Sequence, residues 1–125
     1  MKVKIHLYFC QDDGQKFFGE GPYRLLQKIE ELGSLRAAAQ SEGMAYSKAF
    51  TMIKSAEEQF GFALTKKKIG GKGGGGSSIT PQAEELLKRY QIYKQQCHRM
   101  AEELYIKEFS QFYKNIDCKK EDFSV

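Results

Sequence analysis

The chain opens on a strict alternation: Val3, Ile5, Leu7 and Phe9 fall on one side of an extended segment and Lys4, His6 and Tyr8 on the other. That two-residue period predicts a half-buried strand. Asp13-Gly14 supplies a tight turn and "QKFF" a short returning strand, giving an opening β-hairpin. His6, alone on the polar side of that strand, reads as a surface residue. From Pro22 the period becomes helical, with Leu25, Leu26, Ile29 and Leu32 on one face and the proline in the first turn, where its missing N–H costs nothing. Gly33 closes this helix. Ser34 then caps a second, short helix through Leu35, Ala37, Ala38 and Ala39, whose small side chains let another helix approach closely, and Gly43 ends it. A third helix runs from about Ala45 to Phe60, with Tyr46, Ala49, Phe50, Ile53, Ala56 and Phe60 as its inward face.

The other face of the third helix gathers Ser47, Lys48, Thr51, Lys54 and Ser55 within an arc of about 120°. Taken alone, hydroxyls and lysines on a helix describe an ordinary solvated surface. Two helices of unequal length joined across "SEGMAYSK", with a glycine in the turn, form the helix-turn-helix arrangement. In that arrangement the later helix enters a DNA major groove, with its first turn at the base edges; here that turn is Ala45, Tyr46, Ser47 and Lys48.

After Gly61 the segment "FALTKKK" extends as a strand, the glycines break regular structure, and "SSI" returns before Thr80-Pro81 starts a new helix. Three helices followed by such a hairpin make a winged helix, the hairpin being the wing. From Gly61 through Pro81 there are four lysines and no acid, whereas the flanking segments mix both signs. Glycines let a chain pass close to a phosphate backbone, and Lys66, Lys67, Lys68 and Lys72, with Gly73 and Gly74 between them and the return, displace condensed counterions. A linker reading of the glycines requires two stable halves, and the downstream half is little more than a helix. A phosphate-binding loop requires G-x-x-x-x-G-K-[ST], but Gly73 follows Lys72 where a hydroxyl residue is needed.

Thr80 and Pro81 are a sound cap and first position for the last helix, with Glu84 near its positive end. Leu86, Tyr90, Tyr93, Cys97, Met100 and Leu104 recur at spacings of 4, 3, 4, 3 and 4, the seam of a coiled coil or antiparallel helix pair. This predicts a dimerisation helix. Beyond it the stripe shifts to Tyr105, Phe109, Phe112 and Ile116, which suggests a bend or a new helix.

Composition narrows the function. A length of 125 residues with 41% hydrophobic content suits one core, and a net charge of +4 is too modest to announce a polyanion partner without the local clustering described above. Cys10, Cys97 and Cys118 form an odd set without metal-ligand spacing, which predicts neither a disulfide framework nor a zinc site and favours a reducing cytoplasm. No signal peptide or membrane span is expected. No nucleophile motif or metal cluster points to an enzyme, no cofactor is implied, and Glu57-Glu58 and Glu102-Glu103 read as solvated pairs.

"GSLRAAAQSEGMAYSKAF" followed by "GGKGGGGSSITPQAEELLKRY" resembles the N-terminal DNA-binding domain of the ModE family of molybdate-responsive bacterial transcription regulators, a winged helix-turn-helix related to that of LysR-type regulators. The resemblance covers roughly Gly19 to Tyr93. It implies a homodimer on a palindromic operator, with Ala45, Tyr46, Ser47, Lys48 and Thr51 as recognition segment and Lys66 to Gly76 as wing. Ser34 and Lys54 complete the DNA-binding set. The chain departs from the family where it has Tyr46-Ser47-Lys48 and Phe50 in place of a basic residue directly after the tyrosine and a tryptophan three places on. The molybdate-binding modules of the full-length regulators have no room here, so direct molybdate binding is not expected.

The expected fold is mainly α with small β: a winged helix-turn-helix with an N-terminal hairpin over residues 1–80 and a C-terminal helical dimerisation segment over 81–125, forming one compact unit. The expected partner is double-stranded DNA. The alternative is the same fold used as a protein-interaction or adaptor module, since fold does not dictate function.

Overall fold

A computed structural model describes residues 2–68 and 76–116. Within it the chain is mainly helical with two small antiparallel strand pairs. In chain order the elements are β1 (Tyr8–Cys10), β2 (Lys16–Gly19), α1 (Glu20–Leu32), α2 (Leu35–Ser41), α3 (Tyr46–Phe60), β3 (Thr65–Lys68), β4 (Gly76–Ile79) and α4 (Pro81–Asn115). Leu7–Gln91 is one compact unit, and the chain before and after it forms a second. No helix among the described residues is long and apolar enough to cross a membrane.

The opening hairpin is present but short. Tyr8 faces Gly19 and Phe9 faces Phe18, with a register shift before Cys10 meets Lys16. Residues Val3 to Leu7 keep the alternation of half-buried and exposed positions without joining the ladder. The returning strand ends at Gly19 because Glu20 already belongs to α1, so nothing remains opposite them.

Local chemistry sets the helix ends where the sequence places them. Gly33 adopts φ 79° and donates its N–H to the Ile29 carbonyl, closing α1, and Gly61 at φ 83° does the same for α3 through Glu57. The Ser34 side chain accepts the Ala37 N–H at 2.9 Å, capping α2. Thr80 caps α4 by accepting the Ala83 N–H at 3.0 Å while its hydroxyl donates to the Ala63 carbonyl at 2.7 Å. One side chain thereby starts the last helix and ties down the base of the wing.

The core of Leu7–Gln91 is built from Phe18, Leu25, Leu26, Ile29, Ile53, Leu64 and Tyr90, with Ala38, Ala39, Ala49 and Ala56 where helices approach closely. Tyr90 is its aromatic centre: Tyr23, Phe18 and Phe9 surround its ring at centroid distances of 5.0, 5.2 and 5.8 Å, two of the three edge-on. Its hydroxyl donates to the Leu7 carbonyl at 2.9 Å. Tyr90, expected in an intermolecular seam, is thus taken up by the core of its own chain, along with Ala83 and Leu87.

Three further expectations are corrected. Leu32, placed on the inner face of α1, is exposed. Tyr46 and Phe50, placed on the inner face of α3, are 41% and 43% exposed; Ala49, Ile53 and Ala56 are buried and Phe60 packs against the core. The bend or new helix expected near Tyr105 does not take the form of a new helix: α4 runs unbroken to Asn115. No glycine or proline interrupts it after Pro81. On α4 beyond Gln91, Tyr93, Met100, Leu104, Ile106, Phe109 and Phe112 are exposed and Cys97 is half-buried.

Candidate nucleic-acid interface

Two antiparallel strands make the wing, with Thr65 opposite Ile79, Lys66 opposite Ser78, Lys67 opposite Ser77 and Lys68 opposite Gly76. Leu64 and Ile79 are its buried roots, whereas Lys66, Lys67 and Lys68 are exposed. Lys72, Gly73 and Gly74 lie outside the described residues. At its return the wing rests on the turn between α1 and α2: Ser77 donates its N–H to the Gly33 carbonyl at 2.8 Å. A Cβ at Gly76 would come within 2.5 Å of that same oxygen, and one at Gly33 within 3.4 Å of the Lys68 ammonium nitrogen. The Lys68 charge therefore lies at Gly33 in the α1–α2 turn, and the next residue, Ser34, has its side-chain oxygen occupied by the helix cap.

The start of α2 in turn touches α3. The Arg36 guanidinium stands 4.5 Å from the centroid of the Tyr46 ring, Tyr46 and Phe50 are 6.2 Å apart, and the Lys54 ammonium lies 5.4 Å from the Phe50 ring. Ala45, Ser47, Lys48 and Thr51 are exposed, and Ser55 is half-buried. The wing thus meets the chain at Gly33, and three residues on, Arg36 meets the outer face of α3. Of the wing lysines, Lys68 stands at the α1–α2 turn.

No acid occurs between Glu42 and Glu57, and both of these carboxylates are engaged. Glu42, in the turn between the two helices, meets Arg24 of α1 at 3.1 Å and its side chain is only 13% exposed. Glu57, read as a solvated residue, is a correction. Its side chain is likewise 13% exposed, pairs with Lys54 at 3.2 Å, and accepts the Leu64 N–H at 2.7 Å and the Thr65 N–H at 3.5 Å. Lys54, expected free for a ligand, therefore shares its charge with Glu57. From Tyr46 to Lys54, what faces water on α3 is hydroxyl, ammonium and aromatic.

Arg36 and Phe50 were missing from the sequence-derived set. Arg36 carried no local signal, since its meaning depends on a ring ten residues later; Phe50 was hidden by a helical stripe that reads equally well inward. Among the described residues no group of three or more His, Cys, Asp or Glu side chains is arranged to hold a metal ion.

No protein-family model matches the chain. Curated relatives do. The chain is 41% identical over 73 residues, 58% of its own length, to the molybdenum transport protein ModE of Herbaspirillum seropedicae. It is 33% identical over 69 residues, 55% of its length, to the transcriptional regulator ModE of Haemophilus influenzae. It is 32% identical over 83 residues, 65% of its length, to the DNA-binding transcriptional dual regulator ModE of Escherichia coli K12. The matches span 25%, 27% and 31% of those three proteins, so the chain corresponds to about a quarter to a third of each. These relatives carry the names of regulators and a transport protein rather than enzymes. Over its N-terminal ~55–65% the chain is homologous to ModE transcriptional regulators at 32–41% identity, in keeping with a ModE-family N-terminal domain.

Proposed function

We propose that this protein is a cytoplasmic transcriptional regulator that binds double-stranded DNA sequence-specifically as a homodimer, with α3 in the major groove and the wing on the flanking backbone. The observation that carries this reading is that the wing rests on the α1–α2 turn at Gly33, with the Lys68 ammonium beside it, while Arg36 at the start of α2 lies over Tyr46 of α3. Phosphate contacts by Arg36 and the wing lysines supply affinity that is blind to sequence, and α3 supplies discrimination through base edges. The name of the Escherichia coli relative, a DNA-binding regulator, agrees with it. Direct molybdate binding is not part of the reading.

Salt titration tests it. Binding that neutralises several phosphates loses affinity with a log–log slope near −0.9 per contact on B-DNA. The triple variant K66A/K67A/K68A should bind every duplex more weakly and with a shallower slope, by up to about 2.7 if each lysine neutralises one phosphate. Unchanged binding and slope overturn the wing assignment.

The exposed apolar residues of α4 beyond Gln91 favour pairing with a second copy through Tyr93, Cys97, Met100 and Leu104. A double change M100E/L104E should then yield a monomer in sedimentation equilibrium. The same residues also suit a protein-interaction module, the second reading. That reading predicts partner binding insensitive to salt and no affinity for duplex DNA.

A further inference from the structure

Glu57 lies in the last turns of α3, ahead of the wing, and its atoms are divided among three tasks. Its backbone carbonyl accepts the Gly61 N–H that closes α3, one carboxylate oxygen pairs with Lys54, and the other accepts the Leu64 N–H at 2.7 Å. Leu64 is fully buried and immediately precedes β3, so its amide sits where a lost acceptor is not easily replaced by water. The chain between Gly61 and Leu64 reverses direction within three peptide units, and the carboxylate spans that reversal from the helix side. On the other edge of the hairpin, Thr80 closes the same root: its N–H donates to the Leu64 carbonyl at 3.0 Å and its hydroxyl to the Ala63 carbonyl. The Leu64 peptide is therefore held from two directions, by α3 through Glu57 and by the start of α4 through Thr80.

We propose that Glu57 is a positioning residue for DNA binding: by holding the root of β3 against the C-terminal end of α3, it sets where the wing lysines stand relative to the groove-facing helix. This rests on the DNA-binding reading above, and it adds a residue that touches no DNA itself. The carboxylate is suited to the task because an ionised acceptor makes the stronger bond to a backbone N–H. Its other oxygen holds Lys54 at the edge of the face, so the wing root and one cation of the interface share a single support. A neutral amide in its place keeps an acceptor for Leu64 but releases Lys54; alanine removes both.

The experiment uses the full chain, a labelled duplex of mixed sequence and a titration between about 50 and 200 mM salt, with E57A and E57Q beside the parent. In E57A the three described wing lysines lose their register while Lys54 is set free, so the slope should become shallower by roughly two contacts, about 1.8. E57Q should keep a slope at least as steep as the parent's. Amide hydrogen exchange at Leu64 supplies a readout without DNA: fast in E57A, slow in the parent and in E57Q. If E57A does not fold, E57M, which preserves the buried stem, takes its place. A parental slope together with slow Leu64 exchange in the alanine or methionine variant overturns the proposal, as does E57Q behaving like E57A. A parent that binds no duplex, while Leu64 exchange follows the expected order, sinks the DNA-binding reading and leaves the clamp at the wing root standing.

Discussion

The Arg36 guanidinium lies over the ring of Tyr46, 4.5 Å from its centroid, joining the first turn of α2 to the first turn of α3. Both side chains are exposed. An exposed cation–π contact contributes only about 0.5–1 kcal/mol, too little to be a main support of the fold. Its consequence is directional: the ring keeps a long, adaptable cation at the seam between the wing side and the groove-facing side of the surface.

Replacing Arg36 with alanine should therefore leave thermal stability within about 1 kcal/mol of the parent while removing one phosphate contact. Fluorescence anisotropy across a salt series should show weaker binding to all duplexes and a slope shallower by about 0.9. Lysine at this position should restore the slope, since it keeps the charge. A parental slope in R36A would remove Arg36 from the interface.

Phe50 and Lys48 should govern sequence preference instead. Phe50 presents an apolar ring on the outer face of α3, and the apolar mark in the major groove is the thymine methyl group. Lys48, exposed in the first turn, is matched to the acceptor pair of guanine; such base contacts discriminate by about 1–3 kcal/mol. Selection from a random duplex library should give the parent a preference that F50A loses at A·T pairs and K48A loses at G·C pairs. Exchanging thymine for uracil in the selected site should weaken the parent and leave F50A unaffected. Identical selected sites for parent and variants would mean that neither side chain reads bases.

How much of this was legible in the sequence follows from how local each feature is. The helix boundaries were, because their causes lie within a turn: Gly33 and Gly61 at positive φ, Ser34 and Thr80 as caps. The wing was, because glycines and lysines broke the pattern of both neighbours. The orientation of α3 was read only in part. Its helical stripe admits Tyr46 and Phe50 as core residues, and only the tertiary structure shows that Ala49, Ile53 and Ala56 are buried while those two rings face water. Glu57 was misread because its partners, Leu64 and Thr65, return to it through the turn at Gly61; no periodicity along a helix records such a contact.

At Gly76 the wing has no room for a side chain. A Cβ there would sit 2.5 Å from the Gly33 carbonyl oxygen, a backbone atom already engaged with the Ser77 N–H. G76A should therefore lift β4 from the α1–α2 turn and destabilise the domain by about 1–3 kcal/mol, the usual cost of overpacking. Urea unfolding monitored by circular dichroism would measure it. Stability equal to the parent's would show that the turn gives way without cost.

Alkaline pH probes the aromatic centre. The Tyr90 phenol is raised above its ordinary value of 10.0, chiefly by burial, then by the negative charge of Glu20 and by Tyr23. The folded state therefore holds this proton more tightly than the unfolded chain does. Its contribution to stability is complete below pH 10 and is lost as pH rises through the folded-state value, because the unfolded chain ionises first. Y90F removes both the titration and the hydrogen bond to the Leu7 carbonyl. At pH 7 it should be less stable by about 0.5–1.5 kcal/mol, and between pH 10 and pH 11 its stability should fall less steeply than the parent's. Urea midpoints taken at intervals across that range decide the matter: parallel declines would mean that Tyr90 ionises equally readily folded and unfolded, and that the alkaline loss arises at the other tyrosines.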